Sequence, residues 1–163
     1  MTPSDHAYAP ARDAGTQLPP ALQRYLDGRE LQHKTQALQL ATVDAEGWPH
    51  VALLSAGEML ALDAQRLRFA LFAQSTAAGN LARDARLQLS LVLDGGVCEL
   101  RLRVRRLQAD HGPLALFEGT VDRVRLHRAP YADLGSGIDF RLHRPDDVLP
   151  RWQHQLEALR RAG

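Results

Sequence analysis

Alternation of apolar and polar residues predicts antiparallel strands over much of the chain. Segments 36–43 and 48–55 are both strand-like, and the short turn between them, which contains Gly47, predicts a β-hairpin. Segments 59–62 and 67–72 predict a second antiparallel pair, because alternate residues of the latter segment are apolar. The first half of the chain is therefore predicted to consist mainly of hairpins.

The longest alternating stretch predicts a third hairpin with one apolar and one solvated face. Segments 87–93 and 97–107 alternate with a period of two residues, and the turn between them contains two glycines. The basic stretch 101–106 lies on the second of these strands. A solvated sheet face explains its arginines better than a nucleic-acid site, because few aromatic residues accompany them. Contact of some of these arginines with a second subunit remains an alternative.

The remaining segments predict helices and two further strands. Pro20 suits the first turn of an N-terminal helix. Segment 111–119 predicts a turn or a short helix, and segments 120–128 and 136–143 predict strands. Segment 144–163 has apolar residues at helical spacing, acidic residues near its start and arginines near its end, which favours a C-terminal helix. The pattern predicts a mainly β (α+β) fold, an antiparallel barrel or sandwich of six or seven strands with helical additions.

Composition limits the classes of protein to which the chain can belong. Its 163 residues are 45% hydrophobic, which suits one domain over 20–163, whereas the aperiodic segment 1–19 is predicted to be a flexible tail. The formal net charge of +1 gives no general attraction to nucleic acid. No apolar run approaches the roughly 20 residues of a membrane span, and a single cysteine, Cys98, fits a reducing compartment. We therefore expect a cytoplasmic protein that binds neither nucleic acid nor membranes.

Common catalytic motifs do not occur in the sequence. It has no GxSxG nucleophile elbow, no Walker loop and no HExxH zinc motif. The seven histidines have no spacing that places two imidazoles on one helix face, so no metal site is expected. Cys98 lies on the predicted apolar face of its strand, which is typical of a core residue rather than a nucleophile. No catalytic side chain is therefore assigned.

The stretch 72–85 combines hydroxyl-bearing and small residues between a predicted strand and a short internal helix. Ser75 and Thr76 are good N-cap residues, but Ala78 and Gly79 stand where a capping box would have Glu or Gln. The first amides of the helix are therefore left to water or to an anion, and the positive end of the helix dipole favours an anion. The stretch fits either a phosphate site or an ordinary helix start.

The succession of these elements over residues 36–107 resembles the pyridoxamine 5'-phosphate oxidase-like family of FMN-binding split β-barrels. The marks of the resemblance are a first hairpin with a DxxGxPHV turn, a strand that ends in a serine-containing bend, a helix with Asn80 and Leu81, and a following LxLxLVLD strand. The resemblance implies an antiparallel split β-barrel. It also implies a homodimer that holds FMN in a cleft at the subunit interface and acts on a small-molecule substrate.

The resemblance also implies which residues contact FMN. Where the family has an arginine and a lysine on the strand after the first turn, this chain has His50 and Ser55. The family's Ser-Arg-Lys bend keeps its serine here as Ser75, while Thr76 and Ala77 replace the cations. An arginine from elsewhere would have to balance the phosphate charge: Arg68, Arg83, Arg86, or Arg101 or Arg103 of the partner subunit. The expected cofactor-binding residues are His50, Val51, Ser55, Ser75, Thr76 and Asn80.

The function that the resemblance implies is that of an FMN-dependent oxidoreductase. Two alternatives stay open. One is a non-catalytic binding module that holds haem, a deazaflavin or a flavin, and the other is a dimeric scaffold without a cofactor. Loss of the family's Arg-Lys pair favours such a module or weak binding of FMN, because each charge-assisted hydrogen bond to a phosphate contributes about 1.5 to 3 kcal/mol.

Overall fold

A computed structural model of the chain describes residues 7–163. In this part of the chain there are eight strands, three α-helices and a 3₁₀ turn at Leu31–His33. The strands are β1 (Arg12–Asp13), β2 (Leu38–Val43), β3 (Pro49–Leu54), β4 (Met59–Ala61), β5 (Arg66–Phe72), β6 (Arg86–Leu93), β7 (Gly96–His111) and β8 (Leu114–His127). The helices are α1 (Pro20–Tyr25), α2 (Thr76–Arg83) and α3 (Pro145–Arg161).

All eight strands belong to one antiparallel sheet. Their order is β3-β2-β6-β7-β8-β5-β4, and β1 pairs with the C-terminal part of β8. The two longest strands, β7 and β8, pair with each other, and the sheet curls around the core into a half-barrel. The predicted antiparallel split β-barrel with N-terminal, internal and C-terminal helices is therefore confirmed.

The three predicted hairpins form as their turns indicate. Gly47 adopts a φ of 86° between β2 and β3. Between β6 and β7, Asp94 and Gly95 adopt φ values of 50° and 79°. Two consecutive residues with positive φ match the twist of the flanking strands, which explains why this hairpin is so regular.

Two predictions for the C-terminal third are wrong. Segment 111–119 is not a turn followed by a separate strand, because β8 runs unbroken from Leu114 and only Gly112 and Pro113 turn the chain. Pairing with both β7 and β5 holds this segment extended, and Phe117 stacks on Phe69 of β5 with ring centroids 5.3 Å apart.

The predicted strand over 136–143 is reduced to a single bridge between Gln36 and Asp139. The amide of Phe140 donates to the carbonyl of Thr35 over 2.9 Å, and its ring meets the indole of Trp152 edge-on with centroids 6.1 Å apart. This segment therefore connects β8 to α3 and packs against that helix.

The N-terminal segment predicted to be a tail over 1–19 lies partly in the fold. Residues 1–6 are outside the described residues. Arg12 and Asp13 pair with β8, and Leu18 is buried in the core while its amide donates to the carbonyl of Ala64. The mobility predicted for 1–19 stays a prediction, but the fold begins before residue 20.

The core lies between the concave face of the sheet and the helices. Leu22 of α1 and Leu156 and Leu159 of α3 are fully buried against it. Cys98 is also fully buried, which confirms its predicted place in the core, and burial raises the pKa of its thiol to about 11. Its thiolate is therefore scarce at neutral pH. Among residues 7–163, no helix combines the length and apolarity needed to cross a bilayer.

The C-terminal helix is anchored to the sheet by an arginine of β5. Arg68 donates to Glu118 of β8 over 2.9 Å, to the carbonyl of Leu159 over 2.8 Å, and to the carbonyl of Ala162. Arg68 and Glu118 are both more than nine-tenths buried. These bonds satisfy carbonyls at the end of α3 and hold the helix against β5.

Glycine at position 57 lets α3 approach the turn between β3 and β4 closely. A Cβ at Gly57 would overlap the indole ring of Trp152. Since a larger residue cannot occupy this point without displacing α3, the turn and the helix fit together only with glycine here. The contact places one face of α3 beside β3, where it helps to form a cleft.

Candidate cofactor-binding cleft

A cavity of about 630 Å³ lies between β3, the end of β5, the start of α2, the β7–β8 turn and α3. This volume is in the range of sites that hold small molecules and cofactors. The wall contributed by β3 and β5 is mainly apolar and includes Ala52, Leu54, Ala70 and Leu71. Polar groups lie at the two ends of this apolar wall.

The start of α2 forms one end of the cavity and is rich in hydrogen-bond donors. Ser75 is the N-cap residue, and its Oγ accepts a bond from the amide of Ala78 over 3.2 Å. The amides of Thr76 and Ala77 have no hydrogen-bond partner among the described residues. Together with the Thr76 hydroxyl, these amides lie at the positive end of the helix dipole and are available to an anion.

The strand β3 contributes His50, Ala52, Leu53 and Leu54 to the cavity lining. Val51, by contrast, is 56% exposed and does not line the cavity. The structure therefore brings His50, Ser75 and Thr76 together, as the sequence predicts, but directs the Val51 side chain elsewhere. His111, at the end of β7, joins His50 in the lining and was not among the predicted residues.

Two other residues predicted to bind the cofactor, Asn80 and Ser55, form hydrogen bonds inside the fold and do not line the cavity. The Asn80 amide nitrogen donates to Thr42 Oγ1 over 2.9 Å, and its oxygen accepts from Arg83 over 3.0 Å. Ser55 Oγ donates to Glu58 Oε2 over 3.1 Å and accepts from the amide of Gly57 over 3.2 Å. Asn80 therefore joins α2 to β2, and Ser55 orients Glu58.

A polar group at the other end of the cavity was not predicted from the sequence. It consists of Glu58, which precedes β4, and of Arg151 and Gln155, which lie one turn apart on the same face of α3. Burial raises the pKa of Glu58, although hydrogen bonds from Ser55 and the charge of Arg151 act in the opposite direction. Gln155 is 7% exposed, and its Oε1 has no hydrogen-bond partner among residues 7–163.

Three arginines of the same subunit that were considered as substitutes for the family's missing cations are engaged elsewhere, whereas the partner-subunit candidates, Arg101 and Arg103, stay a prediction. Arg68 belongs to the buried pair with Glu118, Arg83 donates to the carbonyl of Val43, and Arg86 pairs with Asp84. Within the described chain, Arg151 is the one arginine or lysine in the cavity lining. Its spacing from Gln155 was visible in the sequence, but the position of α3 over the cleft was not.

No cluster of three or more histidine, cysteine, aspartate or glutamate side chains placed to hold a metal ion occurs in the part of the chain that the structure describes. The polar groups of the cleft are hydroxyls, backbone amides, one guanidinium, one carboxyl, one carboxamide and two imidazoles. Such a set suits an elongated ligand with an anionic group at the α2 end.

Solved structures with this architecture define the class of fold. HupZ of Group A Streptococcus superposes with a TM-score of 0.54 at 14% identity, covering 72% of this chain and 100% of HupZ. A candidate pyridoxamine 5'-phosphate oxidase of Lactobacillus delbrueckii superposes with a TM-score of 0.53 at 17% identity, covering 68% of this chain and 95% of that protein. The fold is thus that of the pyridoxamine 5'-phosphate oxidase-like split β-barrel proteins, as the sequence resemblance predicts.

Sequence similarity defines the family more narrowly. No family model matches the chain. The uncharacterized protein YclD of Bacillus subtilis is 37% identical over 144 residues, which cover 83% of this chain and 91% of YclD. The chain belongs to the family of YclD.

Proposed function

We propose that this protein binds FMN in the cleft, with the phosphate at the start of α2 and the ring system between β3 and α3. The observation that carries the proposal is the arrangement of the cavity. Unpartnered amides and hydroxyls lie at one end, an apolar wall follows, and Arg151 with Gln155 lies at the other end. FMN has the same succession of an anionic phosphate, a chain and a flat ring with a polar edge.

The residues present fit FMN without the cations that the family has at the bend. Ala77 presents only a methyl group to the cavity lining, and the helix dipole stabilises negative charge at the start of α2. Backbone and hydroxyl donors give the phosphate fewer charge-assisted bonds than Arg and Lys would. We therefore expect FMN to bind reversibly and to be partly lost during purification.

The chemistry proposed for the protein is oxidation or reduction of a small molecule. FMN supplies the electron transfer when it is bound, and the protein positions its ring and controls access to it. His50, His111 and Glu58 lie in the lining and are able to exchange protons at the wall of the cavity.

We also propose that the protein is a homodimer. The exposed face of the β2–β3 hairpin carries Val51 (56%) and Leu53 (50%), of which Leu53 also lines the cavity, and Trp48 (68%) lies at its turn. Strand β3 is an edge strand of the sheet. A second copy that covers this face would remove apolar surface and an open strand edge from water. Sedimentation equilibrium should give twice the mass of one chain, and a monomer at micromolar concentration would exclude the dimer.

The absorbance spectrum of the freshly purified protein, followed by titration with FMN, tests the cofactor. We expect either the visible bands of an oxidised flavin or, if the cofactor is lost, saturable quenching of FMN fluorescence at one FMN per chain. A colourless protein that FMN does not saturate would contradict the proposal. The absorbance spectrum of haem or of a deazaflavin would show that the protein binds that cofactor instead of FMN.

A further inference from the structure

Gln155 is an exception among the buried polar side chains of the described chain. A buried carbonyl oxygen without a hydrogen bond has lost its contact with water and gained nothing in return, and such groups are rare in native proteins. Gln155 Oε1 is the one buried side-chain nitrogen or oxygen atom in residues 7–163 that lacks a partner. The other buried polar residues, all of them hydrogen-bonded, are Thr42, Ser55, Arg68, Asn80 and Glu118.

The position of Gln155 in the cleft indicates what its partner is. It lines the cavity beside Arg151, on the helix whose Trp152 meets Gly57 in the turn just after Leu54. At the other end of β3, His50 is paired with Thr42, which Asn80 of α2 contacts. From His50 to Leu54 the strand advances four residues, or about 13 Å at roughly 3.3 Å per residue. A ligand whose phosphate lies at α2 therefore reaches Gln155 with its opposite end.

The opposite end of FMN carries one hydrogen-bond donor between two acceptors. The pyrimidine edge of oxidised isoalloxazine presents N3–H between the carbonyl oxygens O2 and O4. A carboxamide has the complementary pair, an acceptor oxygen beside a donor nitrogen. The terminal torsion of glutamine is soft, so rotation of the amide alone turns Oε1 toward the cavity that its side chain already lines.

We propose, on the basis of the FMN site proposed above, that Gln155 recognises the edge of the isoalloxazine ring. Its Oε1 accepts the hydrogen bond of N3–H, and the guanidinium of Arg151, one turn earlier on α3, donates to an adjacent ring carbonyl. Gln155 is thus a specificity-determining residue of the cleft. After this rotation Oε1 gains the hydrogen-bond partner that it lacks in the free protein, and Nε2 takes its former position.

Substitution by methionine separates ligand recognition from folding. Gln155→Met keeps a similar volume and removes the unpartnered amide, so the thermal stability of the FMN-free protein should stay equal or rise. The dissociation constant for FMN should increase about tenfold or more, since a buried hydrogen bond is lost. Gln153→Met, on the exposed face of the same helix, is the matched control and should change neither quantity.

The probe 3-methyl-FMN tests the same contact without changing the wild-type protein. The wild type should bind FMN about tenfold or more tightly than 3-methyl-FMN, and Gln155→Met should bind the two nearly equally. A purely steric effect of the methyl group would persist in Gln155→Met and would overturn the proposal. Unchanged FMN affinity in Gln155→Met would also overturn it, while leaving the FMN site itself intact. Failure of the wild type to bind FMN would overturn both proposals.

Discussion

Replacing Arg68 with methionine should lower the free energy of unfolding by about 3 to 5 kcal/mol, which is the cost of leaving a buried charge without its partner. Glu118 would keep one hydrogen bond from Arg105 over 3.1 Å, but Arg105 is largely exposed and cannot replace the lost contact. The carbonyls of Leu159 and Ala162 would also lose their donor. Urea denaturation measures this loss directly.

Two control variants separate the buried pair from a general effect of removing arginine. Arg66→Met, two residues earlier on β5, breaks the exposed pair with Asp63 and should cost less than about 1 kcal/mol. The double variant Arg68→Met, Glu118→Leu removes both buried charges and should recover part of the lost stability, since the carbonyls of Leu159 and Ala162 still lack their donor. Equal losses in Arg68→Met and Arg66→Met would show that the pair does not anchor α3.

Replacing Ser75 with aspartate should weaken FMN binding by about tenfold to a hundredfold. Aspartate caps a helix as well as serine does, so α2 should remain formed. Its carboxylate, however, would stand beside the proposed phosphate. Two like charges about 4 Å apart repel by about 4 kcal/mol at an effective dielectric constant of 20, and the half-exposed position of Ser75 reduces this value.

Asparagine is the matched control at this position, because it has nearly the same shape as aspartate and also caps helices well. Ser75→Asn should bind FMN with an affinity close to that of the wild type. Both variants should keep the wild-type melting temperature, and fluorescence titration gives their dissociation constants. If Ser75→Asp binds FMN as tightly as Ser75→Asn does, the phosphate does not lie at α2.

Local patterns in the sequence account for the elements that were predicted correctly. The hairpins β2–β3 and β6–β7 depend on alternation and on glycine-containing turns, which act within a few residues. The first half of β8 was missed because its extended form depends on β5, a strand more than forty residues earlier in the chain. Gly112 and Pro113 form the turn, and pairing with β5 and β7 keeps the chain extended from Leu114 onward.

The residues of the candidate site also fall into two groups, those that a local sequence motif indicates and those that reach the cleft only through tertiary packing. His50, Ser75 and Thr76 are recognisable because each belongs to a local motif, a hairpin or a helix start. Arg151 and Gln155 are distant in the chain and reach the cleft only because α3 packs over the β3–β4 turn. No local pattern shows that packing, since it depends on the close fit of a glycine against a tryptophan.

Arg68 illustrates why a buried ion pair is hard to recognise from the sequence. An arginine flanked by apolar residues on a strand suggests a charge that is free to bind a ligand. Its register opposite Glu118 instead places the two charges together in the interior, where they stabilise the fold. The arginine that lines the cleft, Arg151, comes instead from α3 and lies at the end of the cavity away from α2, so it does not replace the cations that the family has at the bend.

A crystal structure of the protein grown with saturating FMN tests the central claim most directly. The phosphate should lie against the amides of Thr76 and Ala77, and the ring should lie between β3 and α3 with its pyrimidine edge beside Gln155. FMN bound at any other place, or a cleft without FMN under saturating conditions, would contradict the account.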